Sequence, residues 1–379
     1  MKVCYIISGL SVISSGNQFE LTGFKLKERY GININFLLLG DINSNLEKRL
    51  FSLGFKVKSI YCKKKSDWPK ALFLTICYFI RNRVNIIHCH LLAANVIGLV
   101  AGILCLIPFR LYTRHHAMEH HKRHKKSLIF DYLSNILSTH IISESEVVTN
   151  ILQDLENVKR SKIYQFPPAI DLKKYANKDT NLREKMLQKY DLKESDIVIG
   201  VCSRFDYYKG LKYIIEGFSL AAKKHKNIKL IFFGASGIEF DSLSRLAKNK
   251  LPNNTYQFVK YEKNILGAYS IMDIFIHVPI AYDEEAFGLV YVEAMASSIA
   301  CVFTLSGISA KLLKHNNNAL VVGYKSSSDI NTALQRLIKN KGLRNKIGIQ
   351  AKKDVLKYFP ENEAYENLAN LYKKLIHNS

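Results

Sequence analysis

The stretch Glu285-Ala-Phe-Gly-Leu-Val-Tyr-Val-Glu293, continuing into Ala294-Met295-Ala296, decides how this chain folds. Just before it, Ile274-Phe-Ile-His-Val278 is an apolar run of strand length, closed by Pro279 and a polar loop. Tyr291 onward reads as the start of a buried helix. Strand, loop, glycine and helix in that order are the local plan of a parallel α/β domain. At such a turn the backbone N–H groups of Phe287 to Val290 face outward at the helix N-terminus, and Gly288 lets a ligand approach the main chain closely. Glu285 and Glu293 flank that turn. Their spacing fits a phosphate-bearing ligand with hydroxyls to grip, and fits equally two ordinary glutamates favoured by the helix dipole.

Working outward, the same rhythm recurs. Lys2 to Ile7 is a first strand, followed by a loop around Gly16 and the helical pattern Phe19, Leu21, Phe24, Leu26. Further strands are expected at Ile34 to Leu39, Val57 to Ile60, Asn85 to His88, Ile197 to Cys202, Lys229 to Phe233 and Ala300 to Thr304, with helices between. Ligands of such doubly wound sheets bind beyond the carboxyl ends of the strands. After Cys202 comes Ser203-Arg-Phe-Asp-Tyr-Tyr-Lys-Gly210. There Arg204 offers a fork of donors and Lys209 a point charge, a pair suited to a diphosphate. In a chain this basic, two solvated surface cations would explain them as well. Pro167-Pro168 makes a stiff, extended passage that marks a boundary near residue 171.

These motifs resemble those of the retaining family 4 glycosyltransferases. Glu-Ala-Phe-Gly-Leu, three residues, then Glu-Ala-Met-Ala matches that family's E-x7-E element, and Arg204 with Lys209-Gly210 matches its Arg and Lys-Gly loop. Thr113-Arg-His115 matches its Thr-x-His, Ile141-Ile-Ser-Glu144 its Ser-Glu strand end, and Phe166 to Asp171 its inter-domain passage. Ser203, Ala169, Ala310 and Ser298-Ile299-Ala300 depart from the usual residues. The resemblance implies a GT-B fold: two Rossmann-like domains, 1–171 and 172–355, facing each other across a cleft, with a C-terminal helix in 356–379 crossing back to the first. It implies a retaining, hexosyltransferase-type enzyme that moves a sugar from a UDP- or GDP-linked donor to a glycan or lipid-linked acceptor in cell-surface polysaccharide or glycolipid synthesis. On this reading Gly16, Arg204, Lys209, Glu285, Ala286, Phe287, Gly288, Leu289 and Glu293 hold the donor. Of these Glu285 orients the sugar and Glu293 takes the ribose, while His115 lies near the transferred sugar and acceptor. A GT-B sugar-nucleotide epimerase is the alternative within the fold.

No Asp-x-Asp triplet occurs, so no cofactor or metal is expected and the diphosphate is neutralised by Arg204, Lys209 and the helix N-terminus. Five of the twelve histidines fall between Thr113 and Lys126, without paired helical ligand spacing to a carboxylate of known role, and no metal is assigned to them. The chain has 379 residues, 48 % hydrophobic, ample for two cores. Its seven cysteines show no paired spacing and read as reduced thiols. The N-terminus lacks a signal-peptide pattern, which places the expected protein in the cytoplasm, either free or peripherally at the inner face of the membrane. The net charge of +23 admits nucleic acid, anionic lipid or a merely solvated surface. No nucleic-acid module is present, and the basic residues are spread along the chain. Residues 91–109 approach the length that crosses a bilayer, but Gly98, Gly102 and Pro108 interrupt them and strand-like pieces flank them, so a buried helix is expected. Lys63 to Lys65, Trp68 and the apolar run Ala71 to Ile80 compose either a core helix or one lying among anionic head groups.

Overall fold

The computed structural model describes residues 2–9, 16–177, 179–360 and 362–377. The chain divides into two compact units, one of residues 1–170 with 362–379 and the other of 171–361.

Among the described residues the first unit has seven parallel strands: β1 (Val3–Ser8), β2 (Ile34–Gly40), β3 (Lys56–Tyr61), β4 (Ile86–His90), β5 (Phe109–Arg114), β6 (His140–Ser143) and β7 (Ile163–Gln165). They lie in the order β3-β2-β1-β4-β5-β6-β7. Val3 pairs with Ile34 on one side and Ile86 on the other, so β1 is central and buried throughout. That burial on both faces is why it reads as an unbroken apolar run. The strand order reverses between β1 and β4, and a crevice is expected there.

The helix Leu92–Leu104 occupies most of the stretch whose length suggested a bilayer span. It ends before β5, and its middle, Ala94 to Gly102, is largely buried. Among the described residues no helix is long and apolar enough to cross a membrane. Trp68–Asn82 is a helix with two apolar faces: Ala71, Thr75 and Phe79 point into the core at helical spacing, while Phe73, Leu74 and Ile80 are exposed. The core reading of that run therefore holds for one face, and the other face is exposed.

The helix Lys341–Tyr358 runs through position 355, the expected end of the second domain, and the next helix is Glu363–His377. That last helix packs in the first unit, as expected of a crossover. Leu368, Ala369, Leu371, Tyr372 and Leu375 join the core of Val3, Tyr5 and Phe36. The Tyr372 hydroxyl donates to Tyr5 Oη at 2.9 Å and lies 2.6 Å from His88 Nδ1, so a helix at the chain's end is tied to β1 and β4.

The second unit repeats the plan with β8 (Ile197–Cys202), β9 (Ile228–Phe233), β10 (Tyr256–Val259), β11 (Ile274–His277), β12 (Ala300–Phe303) and β13 (Leu320–Val321). Their order is β10-β9-β8-β11-β12-β13, parallel throughout, with the reversal between β8 and β11. The loops after those two strands carry the basic pair and Glu285. Gly210 holds them close. Its φ is +73°, and a Cβ there would stand 2.0 Å from the Val278 carbonyl oxygen just beyond β11.

Candidate active site

In the second unit Glu285 sits where the loop after β11 turns toward the helix Leu289–Ala296. Its Oε1 accepts from Lys209 Nζ at 2.7 Å and from His277 Nε2 at 2.8 Å, and its backbone N–H donates to Ser306 Oγ at 3.1 Å. Burial alone would raise this carboxyl, but Lys209 and His277 outweigh it and hold the group at about 2. His277, at the end of β11, is pushed below the usual histidine range by burial and by Lys209, against the pull of Glu285. A neutral imidazole donating Nε2–H to a carboxylate follows. Glu285 is thereby fixed as an anion in one orientation, with its second oxygen carrying no hydrogen bond among the described residues.

Gly288 precedes the helix at φ +88°, a conformation that suits glycine. The amides of Phe287, Gly288, Leu289 and Val290 donate to no carbonyl among the described residues. Phe287 itself is buried, its ring 5.5 Å edge-on from Phe359, so the turn is anchored while its amides stay available. Ala286 is buried beside it. Gly307 lets the neighbouring loop close on the turn, since a Cβ there would meet the Phe287 carbonyl oxygen at 2.6 Å. Anions are favoured at such an end of a helix.

Arg204 and Lys209 share a loop but are placed differently. Lys209 is part-buried against Glu285, while Arg204 is 66 % exposed in its side chain, 3.2 Å from Asp206. Glu293 is held apart from the Lys209 cluster. Its Oε1 accepts from Tyr175 Oη at 2.7 Å and its Oε2 from Tyr269 Oη at 2.9 Å. Burial raises its carboxyl above the usual range, with the two hydroxyls pulling the other way.

In the first unit His115 follows β5. Its Nδ1 lies 2.9 Å from Glu144 Oε1, and its Nε2 lies 3.1 Å from His90 Nδ1. His90 is buried and its Nε2 has no partner among the described residues. Burial lowers His88 to about 3, helped by His115, and His88 bridges Tyr372 and Thr113 at 2.6 and 2.7 Å. Gly16 opens the helix Gly16–Tyr30; Ser14 and Ser15, the rest of its expected loop, lie outside the described residues.

The sequence offers the clustered histidines no carboxylate of known role, and the fold brings one to them. Asp131, from the helix Leu128–Leu137, reaches His120 Nδ1 at 2.6 Å and His116 Nε2 at 3.4 Å. The three could in principle ligate one ion. Arg114, however, stands 3.0 Å from Asp131 and already supplies the positive charge that a metal would bring. Arg114 also meets Glu156 at 2.5 Å, and His121 lies 2.9 Å from the same carboxylate. The group is thus a buried ion-pair network.

Sequence reasoning left His277, His90, Tyr175 and Tyr269 out of the site. A signal existed for two of them. His88 and His90 alternate on one face at the end of a strand, and His277 ends the strand before the organising turn. The tyrosines come from helices distant in sequence and carry no local signal.

Two Rossmann-like units with this turn in the second are the build of the GT-B glycosyltransferases. Residues 183–354, within the second unit, match the family model of glycosyl transferases group 1. The capsular polysaccharide biosynthesis glycosyltransferase CapM of Staphylococcus aureus is 24 % identical over 319 residues, 82 % of each chain. The N-acetyl-alpha-D-glucosaminyl L-malate synthase of Bacillus anthracis is 23 % identical over 244 residues, 62 % of this chain and 61 % of the other. Among solved structures, Anabaena Alr3699/HepE with UDP and glucose superposes with a TM-score of 0.83 at 16 % identity, covering 97 % of this chain and 99 % of that one.

Proposed function

We propose that the protein is a retaining, metal-independent glycosyltransferase that transfers a hexose from a UDP- or GDP-linked donor to a glycan or lipid-linked acceptor in cell-surface polysaccharide synthesis. The observation that carries the reading is the Lys209–Glu285–His277 cluster, set at the switch point of the second sheet beside the amides of Phe287 to Val290, which donate to no carbonyl among the described residues. A departing diphosphate needs positive charge fixed in advance, and Lys209, Arg204 and those amides supply it without an ion. Glu285, held ionised, takes sugar hydroxyls through its remaining oxygen. Glu293, between two tyrosine hydroxyls, takes the ribose. The acceptor oxygen replaces the diphosphate oxygen at the anomeric carbon, and the acceptor proton leaves with the departing group. His115 is the acceptor-side group, with Glu144 and His90 fixing its ring. The CapM and HepE likenesses support a nucleotide-sugar donor and a polysaccharide context.

The test is a thermal-shift screen of UDP, GDP, ADP and their sugars, followed by donor hydrolysis with the best. One nucleotide should raise the melting temperature by mass action and its sugar should be hydrolysed slowly. A chain that responds to none of them is not this enzyme. An epimerase would instead convert the free sugar nucleotide without any acceptor.

We further propose that the first unit rests on an anionic membrane surface. Phe73 and Ile80 on the helix Trp68–Asn82, with Ile129 and Ile136 on Leu128–Leu137, are all more than 60 % exposed, and both helices pack on Leu92–Leu104. Exposed Lys64, Lys65, Lys70, Arg81, Lys125 and Lys126 surround these side chains in sequence. Exposed apolar residues beside clustered cations favour a head-group surface.

A further inference from the structure

We infer that the first unit carries a binding site for a phosphate-bearing group and, resting on the glycosyltransferase reading above, that the acceptor is a phosphorylated glycan. The site is a cavity of about 490 Å³ at the carboxyl ends of β1, β4 and β5, where the strand order reverses. Its volume is that of a small-ligand site, roughly 300–1,000 Å³.

The helix Leu92–Leu104 points its N-terminus into this cavity, and Leu92 and Ala93 line it. The amide of Ala94 is taken by Ser8 Oγ at 3.1 Å and that of Asn95 by the Leu91 carbonyl at 2.9 Å. Those of Leu92 and Ala93 donate to no group among the described residues. Leu91, the residue before the helix, is held at φ 74° and ψ 162°, a region that a leucine occupies only under constraint. The two free amides, in the positive field of the helix end, are donors for an anion.

A second and independent feature points to a ligand. Asn95, only 7 % exposed, lines the same cavity, and its Oδ1 has no partner among the described residues. A buried unpaired amide oxygen is costly unless something enters to satisfy it. A carbonyl oxygen accepts, so its natural partner is a hydroxyl rather than the anion itself. Anion donors and a hydroxyl acceptor in one pocket describe a sugar phosphate.

Charge agrees. Lys63, Lys64, Lys65 and Arg114 line the cavity against two carboxylates, Glu119 and Asp131. Asp131 is answered by Arg114 at 3.0 Å and His120 at 2.6 Å, and Lys63 by Asp41 at 2.6 Å. Lys64 and Lys65 remain for the ligand, Lys65 lying 4.6 Å above the Phe130 ring. Trp68 lines the same wall, and an indole offers an apolar face to a sugar ring.

The same phosphate could arrive on a soluble sugar or on a lipid. The full chain, saturated with the nucleotide that the thermal-shift screen selects so that the donor side is filled, is titrated calorimetrically with methyl phosphate and separately with phosphatidic acid vesicles. Asn95→Leu and the double variant Lys64→Gln/Lys65→Gln are run alongside, with circular dichroism confirming the fold; the surface variant keeps the test valid should the buried one unfold. One methyl phosphate per chain, weakened at least tenfold in both variants, assigns the site to soluble phosphates. Binding of phosphatidic acid vesicles alone, weakened at least tenfold by Asn95→Leu, assigns it to lipid-held phosphate. Binding of neither probe, or binding indifferent to both variants, overturns the inference. Failure of the donor reading is seen separately, because no nucleotide of the screen would then bind while the phosphate titration, repeated without nucleotide, still could.

Discussion

At the scale of residues, Glu285 and Glu293 are alike in sequence and unlike in surroundings. Glu285 is an anion clamped by Lys209 and His277; Glu293 is a carboxyl raised by burial between Tyr175 and Tyr269. Glu285→Ala should therefore lower turnover more than donor affinity, and Glu293→Ala should weaken donor binding first. Steady-state kinetics with a binding titration separates the two, and unchanged transfer by Glu285→Ala would remove the sugar-side role. The clamp also carries a pH dependence. Glu285 is held at about 2 against 4.5 for the free group. Its contribution is complete above pH 4.5 and disappears as pH falls through the folded value, so about 2 kcal/mol should be gone between pH 6 and pH 3. Urea unfolding of wild type and Glu285→Gln at both pH values checks this. Equal loss in the two proteins would mean that the clamp stabilises nothing. The two carboxylates and the Arg204, Lys209 pair could be read from sequence because they sit on contiguous motifs. Their partners could not, since His277 is one strand residue among many and the tyrosines arrive through tertiary packing.

At the scale of elements, strands flanked by Gly or Pro and followed by helical periodicity were readable almost throughout, because parallel strands buried on both faces leave apolar runs with sharp ends. The helix Trp68–Asn82 shows where the pattern fell short. Apolar residues all round a helix mean burial in the usual case, yet Phe73 and Ile80 face outward while Ala71 and Phe79 face the core. Liposome flotation tests what covers the outer face. Binding should appear with anionic lipid, fade as salt rises past a few hundred millimolar, and weaken when Lys63 to Lys65 are changed to Gln. Equal flotation on neutral vesicles in high salt would contradict an electrostatic contact, and no flotation at all would leave the apolar face without a membrane role.

At the scale of the molecule, two parallel sheets, each reversing its strand order once, and a last helix that packs in the first unit make up the two compact units. What no linear reading supplied is the first unit's buried ion-pair network. Arg114, Asp131 and Glu156 are spread over more than forty positions and meet only when β5 and the following helices pack. The measurement that bears most directly on the proposed chemistry is donor hydrolysis by metal-stripped protein in EDTA, comparing wild type with Lys209→Ala. Removing a preorganised donor to a leaving group typically costs about 3 to 4 kcal/mol, or two to three orders of magnitude in rate. Wild type should keep its rate in EDTA and Lys209→Ala should lose a hundredfold or more. A wild-type rate that requires added Mg²⁺ or Mn²⁺, or a Lys209→Ala variant as fast as wild type, would contradict a diphosphate neutralised by this chain's own cations.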